Sequence, residues 1–239
     1  MRKIIWQDFE TGGVQPWTHS PLSFAMICTE DRKFLGEWYT EIRQTPFVVT
    51  PEAMAINKLN LEEPGLDFST FRKEYFTRVN KWCYGGTDFA RSRGSFLPGK
   101  TKADKFNMPK YGGHNTWFDR QCLQSILSGT PYKNVFDGCY YHHVDTMVLG
   151  STLQEIGILD PSQPMKLENL CNMLELKQES GEFHNALVDL KMTVACYFKM
   201  QDIIKNTVMG RIYDDLEREM ENEHATPPFL DHDEVRTTS

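Results

Sequence analysis

Apolar and polar residues alternate along the first forty positions in the way typical of half-buried strands. The pattern predicts strands over residues 3–9, 22–29 and 33–40. A polar turn at residues 30–32 would join the second and third strands into a hairpin. Gly12 and Gly13 end the first strand. The chain therefore opens with a block of antiparallel strands.

Helical spacing of the apolar residues dominates the rest of the chain. It predicts one further strand over 139–144 and helices over 51–56, 68–82, 115–127, 146–156, 166–174 and 182–204. Several candidate N-caps precede these helices, namely Thr50, Asn115 or Thr116, and Asp145 or Thr146. Mixed strands and helices of this kind predict an α/β protein.

The charge of the chain gives no sign of a nucleic-acid-binding protein. Its 239 residues suit one large domain, with a formal net charge of −7 and a pI of about 5.5. A metal-dependent enzyme remains compatible, because divalent cations supply positive charge where it is needed. Residues 206–239 are predicted to form an acidic C-terminal extension, helical to about residue 223 and then a solvated, partly disordered tail.

One segment, residues 83–110, is rich in glycine and in cations and is predicted to be a basic insertion loop. Its cations are interleaved with phenylalanines, and they include Arg91, Arg93, Lys100, Lys102 and Lys105. Cations neutralise phosphates and aromatic rings stack on bases, so the segment is a candidate single-strand groove. A solvated loop without a ligand is the alternative.

The six cysteines include no C-x-x-C pair, which predicts reduced thiols in a cytoplasmic protein. No signal peptide and no membrane-spanning run is evident, so no membrane contact is expected. Cys139, His142 and His143 could be considered zinc ligands. Adjacent histidines on a strand point to opposite faces, so zinc binding is not expected there.

Two acidic residues, Asp8 and Glu10, follow the apolar part of the first strand. Alternation places both on one face, where their carboxylates would repel each other unless a cation lies between them. Gly12 and Gly13 beside them would let a substrate backbone approach closely. Taken alone, the pair is also explained by a solvated strand end, so this motif by itself does not indicate a metal site.

Two later clusters combine histidine with aspartate. In the segment 114–119 (HNTWFD), Asp119 falls in the first turn of a predicted helix, where the helix dipole alone would favour it. His184 and Asp189 are predicted inside the last long helix, about 140° apart around its axis at 3.6 residues per turn. They would flank a site rather than stack as a zinc pair, although a plain polar helix edge is an alternative.

Taken together and in this order, the three motifs resemble those of the DnaQ-like (DEDDh) 3′→5′ exonuclease superfamily, which includes polymerase proofreading subunits, exonuclease I and RNase T. Asp8 and Glu10 match its first motif, Asp119 its second, and His184 with Asp189 its third. Three weaker matches are to its P-E-A-x-x-x-H-G, D-T and S-L-x-x-L-C segments, at residues 50–57, 144–146 and 167–171. The resemblance covers roughly residues 1–205, the expected exonuclease domain.

The resemblance implies an RNase H-like fold, a mixed five-stranded sheet with three antiparallel strands first, flanked by helices. It also implies phosphodiester hydrolysis with two Mg²⁺ or Mn²⁺ ions per site. Asp8, Glu10 and Asp189 would hold one ion, Asp8 would share the second, and Asp119 would bind through water. His184 would be the general base.

The implied substrate is the 3′ end of a single-stranded nucleic acid, released as nucleoside 5′-monophosphates. The terminal nucleotide would be contacted by Phe9, Thr11, Ile56, Asn57 and His184. Asn57 and Lys58 replace the family's usual His-Gly. DNA is favoured over RNA, and a role in DNA repair or replication would suit such an enzyme. An exoribonuclease and a proofreading subunit bound to a polymerase or another replication partner remain open alternatives.

Overall fold

Strands and helices alternate along the chain in the computed structural model, which describes residues 3–84, 109–128, 140–177 and 184–224. The strands are β1 Lys3–Thr11, β2 Pro21–Glu30, β3 Lys33–Glu41, β4 Lys110–Gly113 and β5 Tyr140–Asp145. The helices are α1 Pro51–Asn57, α2 Phe68–Tyr84, α3 Thr116–Leu127, α4 Thr146–Glu155, α5 Leu167–Met173 and α6 Ala186–His224.

The strands form a five-stranded mixed sheet in the order β3-β2-β1-β4-β5. The two contacts among β1, β2 and β3 are antiparallel, while β1 pairs with β4 and β4 with β5 in parallel. This topology confirms the predicted sheet. The short β4 pairs with β1 only as far as Trp6 opposite Gly112, so β1 continues beyond its neighbour.

Each face of the sheet carries its own apolar core. Ile5 and Phe9 of β1 contribute to a core completed by residues of α2 and α3. Ile4 and Trp6 contribute to a second core, which includes Leu190 of α6. Because strand side chains alternate, Asp8 and Glu10 continue the row of Ile4 and Trp6 toward the α6 face.

Two helix beginnings differ from the prediction. Asn115 precedes α3 with a left-handed φ of 62° and makes no side-chain capping bond. Helix α6 begins at Ala186 rather than 182, because the Asn185 side chain accepts the N–H groups of Leu187 and Val188. It continues past residue 204 to His224, which agrees with the helical extension predicted to about residue 223. The predicted cap of α1 by Thr50 and of α4 by Asp145 is confirmed.

The chain divides into two compact units, Met1–Met200 and Gln201–Ser239. Residues 85–108 of the predicted basic loop, including all five of its candidate groove cations, lie outside the described residues, as does the tail after His224. Among the residues that are described, no helix has the length and apolar content needed to cross a membrane.

Candidate active site

Three carboxylates converge where β1 passes the end of β4. Oxygen atoms of Asp8, Glu10 and Asp189 lie within 4.8 Å of one another. Alternation along β1 brings the first two to the α6 face, and Asp189 meets them from the first turn of α6. The structure thus brings together three of the four predicted metal-binding acids in one cluster.

Asp119, the fourth predicted acid, lies behind this cluster and is only 3% exposed. Its Oδ1 accepts the Phe9 N–H at 3.0 Å. That N–H lies beyond the last residue pair of β1 and β4, so the carboxylate replaces the missing strand partner. This bond fixes α3 to the strand segment that holds Asp8 and Glu10.

Burial raises the pKa values of all four carboxyl groups, and repulsion between the carboxylates adds to this for Asp8, Glu10 and Asp119. The pKa of Asp8 lies well above its usual range because of burial, followed by the charges of Asp119, Glu10 and Asp189. Burial also raises the pKa of Asp119 well above its usual range, although the hydrogen bond from the Phe9 N–H lowers it in part. Burial, then the charge of Asp189, raises the pKa of Glu10 to about 8. The cluster is therefore costly to ionise without a counter-charge.

Asp189 has one oxygen engaged and one without a partner. Burial raises its pKa to about 6, opposed by the His184 N–H, which donates to Oδ2 at 3.1 Å. Its Oδ1 is buried and has no hydrogen-bond partner within the described part of the chain. A buried oxygen without a partner, on a carboxylate grouped with two others, fits a divalent cation with oxygen ligands, such as Mg²⁺ or Mn²⁺.

His184 is exposed and precedes helix α6 instead of lying within it. The predicted separation of 140° from Asp189 is therefore wrong, because the helical geometry begins only at Ala186. His184 adopts a left-handed φ of 74°, a conformation that costs a non-glycine residue on the order of 1 kcal/mol. In this conformation its N–H donates to Asp189, and the histidine stands at the edge of the acidic cluster.

Asp145 holds the beginnings of two helices, and the sequence indicated it only as a candidate N-cap and through its match to a D-T motif. Its carboxylate accepts the N–H groups of Met147 and Val148, and thereby caps α4. It also accepts the N–H groups of Asn115 and Thr116 at 3.1 and 2.7 Å. One carboxylate thus caps two helices and holds the start of α3, which carries Asp119.

A groove of about 460 Å³ opens beside the carboxylates between β1, α1 and α3. Ile56 lines it and is half exposed. Asn57 also lines it, and its side-chain amide donates to the Thr11 carbonyl at 2.8 Å, which ties α1 to β1. Phe9 contributes to the lining, although most of its ring packs in the core, 4.6 Å from the Phe24 ring. All four predicted nucleotide-contacting residues of β1 and α1 therefore meet at one groove.

The two glycines after Glu10 serve a different purpose from the predicted one. A Cβ atom on Gly12 would lie 2.5 Å from the Val48 carbonyl oxygen, and one on Gly13 would lie 2.4 Å from the His19 ring. The protein's own chain, rather than a substrate, fills the space that these glycines leave. His19, which the sequence did not single out, lines the groove as a consequence.

Two other histidines have structural partners. His114 is largely buried between α4 and the segment before α5, where its ring nitrogens bond Thr146 Oγ1 at 2.9 Å and the Met165 carbonyl at 3.2 Å. Burial lowers its pKa. His143 bonds Arg120 through Nε2. Of the other two residues considered as zinc ligands, His142 lies in β5 and Cys139 lies outside the described residues.

Comparison with known proteins identifies relatives by structure only. No family model and no curated protein matches the sequence. E. coli exonuclease I in complex with a dT13 oligonucleotide matches with a TM-score of 0.61 and 17% identity, over 90% of this chain and 43% of that chain. The exonuclease I of Methylocaldum szegediense matches with a TM-score of 0.56 and 20% identity, over 84% and 40%.

A zinc-bound form of an E. coli exonuclease I–single-stranded DNA complex matches with a TM-score of 0.61 and 15% identity, over 90% of this chain and 43% of that one. The chain spans about two fifths of the length of these structures. At such low identity the likeness establishes the fold, and the predicted RNase H-like architecture is confirmed.

Proposed function

We propose that this protein is a metal-dependent 3′→5′ exonuclease that releases nucleoside 5′-monophosphates from single-stranded DNA. The main support is the convergence of Asp8, Glu10 and Asp189 within 4.8 Å at the edge of an open groove. The fold shared with exonuclease I, two of whose structures are complexes with single-stranded DNA or an oligonucleotide, favours this substrate. The catalytic domain would comprise residues 1–205.

The acidic cluster would hold two divalent ions, Mg²⁺ or Mn²⁺. Asp8, Glu10 and Asp189 would offer oxygens to one ion, Asp8 would share the other, and Asp119 would contribute through water. Divalent ions bound there supply charge that stabilises the attacking and leaving oxygens of phosphodiester hydrolysis. The raised pKa values of the free carboxyls support this assignment, because a bound cation would offset their repulsion.

The protein's own residues would orient the substrate and move the proton. His184, exposed at the rim of the cluster, would accept the proton of the attacking water at an imidazole nitrogen. Its backbone bond to Asp189 holds it there. Ile56 would pack against the terminal base, while the bond between Asn57 and Thr11 would keep the wall of the groove in place.

The test is digestion of single-stranded oligonucleotides labelled at either end, with Mg²⁺ or EDTA. A 3′ label should appear at once as mononucleotide, while a 5′ label should remain on a ladder of shortening products. Parallel DNA and RNA substrates distinguish an exodeoxyribonuclease from an exoribonuclease. His184→Ala should lower kcat by roughly 100- to 10,000-fold, the usual contribution of a general base.

Glu155→Gln, which removes an exposed acid at the end of α4, is a suitable control and should keep full activity. Release of the 5′ label first would overturn the polarity. Activity that survives in EDTA, or a kcat of the His184→Ala variant equal to that of the unmodified protein, would contradict the proposed mechanism.

A further inference from the structure

Two tryptophans stand exposed on the surface next to the proposed active site. Trp17, in the loop between β1 and β2, is 59% exposed, and Trp117, in the first turn of α3, is 65% exposed. A single exposed hydrophobic side chain is ordinary, but exposed aromatic rings grouped at one place are typical of an interaction site. Two such rings beside one recess therefore require an explanation.

The two rings are held on one side of α3. Trp17 donates its indole N–H to the Gln121 side chain. Gln121 follows Trp117 by four positions, so both lie on the same helix face. The loop is thus fixed to the helix at Trp17, and the indoles share a recess of about 410 Å³. Its lining also includes Arg120, Gln124 and His143.

The recess lies directly beside the proposed active-site groove. Phe118 lines the groove and its neighbour Trp117 lines the recess, while Asp119 reaches the carboxylate cluster. The loop after β1 is likewise shared, since Val14 lines the groove and Trp17 the recess. A strand with its 3′ end in the groove can therefore continue past the first turn of α3 into the recess.

The chemistry of the recess favours a nucleic acid strand. Within a chain of formal net charge −7, the residues that line it in the described part of the structure include no aspartate or glutamate. Arg120 supplies a cation, held by a bond of 2.7 Å to His143 Nε2, which must accept because guanidinium nitrogens only donate. Indoles stack on bases, amides bond base edges, and a guanidinium bonds phosphate.

We infer that Trp17, Trp117 and Arg120 form an upstream subsite for single-stranded nucleic acid, in which the indoles stack on bases and Arg120 contacts a phosphate. This inference rests on the proposed exonuclease function, whose groove would receive the 3′ end of the same strand. The subsite would hold nucleotides that precede the cleaved bond, and it would raise affinity for longer substrates.

The test is binding of a 5′-fluorescein oligothymidylate to the full-length protein in EDTA, measured by anisotropy. Trp17→Ala and Trp117→Ala should each raise Kd by roughly tenfold, within the range for loss of one stacked base. Phe34→Ala, which removes an aromatic side chain of similar exposure from the edge strand β3, should leave Kd unchanged. Equal Kd values for all three variants would overturn the inference.

Arg120→Gln gives a second readout that loss of structure would not mimic. Loss of one phosphate contact should reduce the slope of log Kd against log salt concentration by about 0.7. An unchanged slope would exclude the phosphate contact. The exposed indoles could instead hold two copies of the chain together, and gel filtration tests this alternative. If the unmodified protein is an oligomer that Trp17→Ala dissociates, while the Kd for oligothymidylate is unchanged, the indoles serve self-association and the inference is contradicted.

The subsite and the proposed reaction can fail separately. Hydrolysis of a p-nitrophenyl ester of thymidine 5′-monophosphate needs the carboxylate cluster but offers no upstream nucleotide. If the unmodified protein hydrolyses the ester but the tryptophan variants bind oligothymidylate with unchanged Kd, the proposed exonuclease function stands and the upstream subsite is overturned. Weakened binding in those variants, without hydrolysis of ester or oligonucleotide, would support a binding subsite and overturn the proposed reaction.

Discussion

At the scale of single residues, Asp8 is the carboxylate of the acidic cluster whose ionisation is opposed by the largest number of neighbouring charges. It is half-buried, and its loss of solvation and the charges of Asp119, Glu10 and Asp189 all oppose its ionisation. Such a residue lowers the stability of the metal-free protein. Function and stability should therefore respond in opposite directions when it is replaced.

Asp8→Asn should make the metal-free protein more stable and the enzyme inactive. The amide keeps the shape of the side chain without its charge, so the free energy of unfolding at pH 8 in EDTA should rise by about 1–3 kcal/mol. Urea denaturation measures this rise, and digestion of labelled oligonucleotide should show a loss of more than about 1000-fold. A variant that is both less stable and inactive would contradict the electrostatic argument.

The raised pKa values also predict how stability depends on pH. Glu10 titrates at about 8 in the folded protein, against an ordinary value of 4.5, and Asp189 at about 6 against 3.8. Between these values the folded state binds more protons than the unfolded state. The contribution of each group is thus fully present below its ordinary pKa and is lost as pH rises through its folded pKa.

In EDTA, the free energy of unfolding should accordingly fall between pH 5 and 8 by on the order of a few kcal/mol. Saturating Mg²⁺ should flatten this decline, because bound cations favour the ionised carboxylates. Urea titrations at several pH values, with and without Mg²⁺, measure both effects. Parallel curves in the two conditions would show that the cation does not bind the cluster.

The sequence allowed the acids to be identified but not their hydrogen bonds. Asp8 and Glu10 could be placed on one face because strand alternation depends only on position. The contact between the His184 N–H and Asp189 could not be predicted, because it depends on the left-handed backbone at residue 184. The bond from Phe9 to Asp119 depends on how early β4 ends, which local sequence does not specify.

At the scale of elements, helix positions depend on contacts made across the sheet. The lengths of β2, β3 and α2 followed from their apolar patterns, and the structure agrees with them to within about two residues. The start of α3 did not follow from its own candidate cap, because Asn115 makes no capping bond. The cap comes instead from Asp145, at the end of the neighbouring parallel strand β5.

Replacement of Asp145 should destabilise two helices at once. Asp145→Ala removes the acceptor for the starts of α3 and α4, so the free energy of unfolding should fall by about 1–4 kcal/mol, twice the usual loss of one cap. Activity should fall as well, since α3 holds Asp119. Asp145→Asn keeps one carbonyl oxygen and should lose less.

Asp160→Ala is the matched control, because Asp160 accepts a single backbone N–H, that of Ser162, in an exposed turn. It should cost less than about 1 kcal/mol. Urea denaturation measures the loss in free energy of unfolding, which should be largest for Asp145→Ala, smaller for Asp145→Asn and smallest for Asp160→Ala. Equal losses for Asp145→Ala and Asp160→Ala would show that Asp145 does not serve both helices.

At the scale of the whole molecule, the proposed function requires a chain with a formal net charge of −7 to bind a polyanion. Phosphates approaching the acidic cluster meet four carboxylates, and long-range attraction from a basic surface is not available to the chain as a whole. Divalent cations at the cluster would reverse the local sign of the charge. Substrate binding and metal binding should therefore be coupled.

The coupling can be measured with an oligothymidylate whose 3′-terminal linkages are phosphorothioates, which resist hydrolysis. Its Kd should be at least tenfold lower in Mg²⁺ than in EDTA at the same ionic strength, because the ions join phosphate to carboxylate. Asp8→Asn should remove most of this difference, since it removes a shared metal ligand. The Glu155→Gln variant removes the same single negative charge at a position far along the chain from these acids, and it should retain the difference. A similar loss in both variants would mean that overall charge, and not the metal cluster, governs binding.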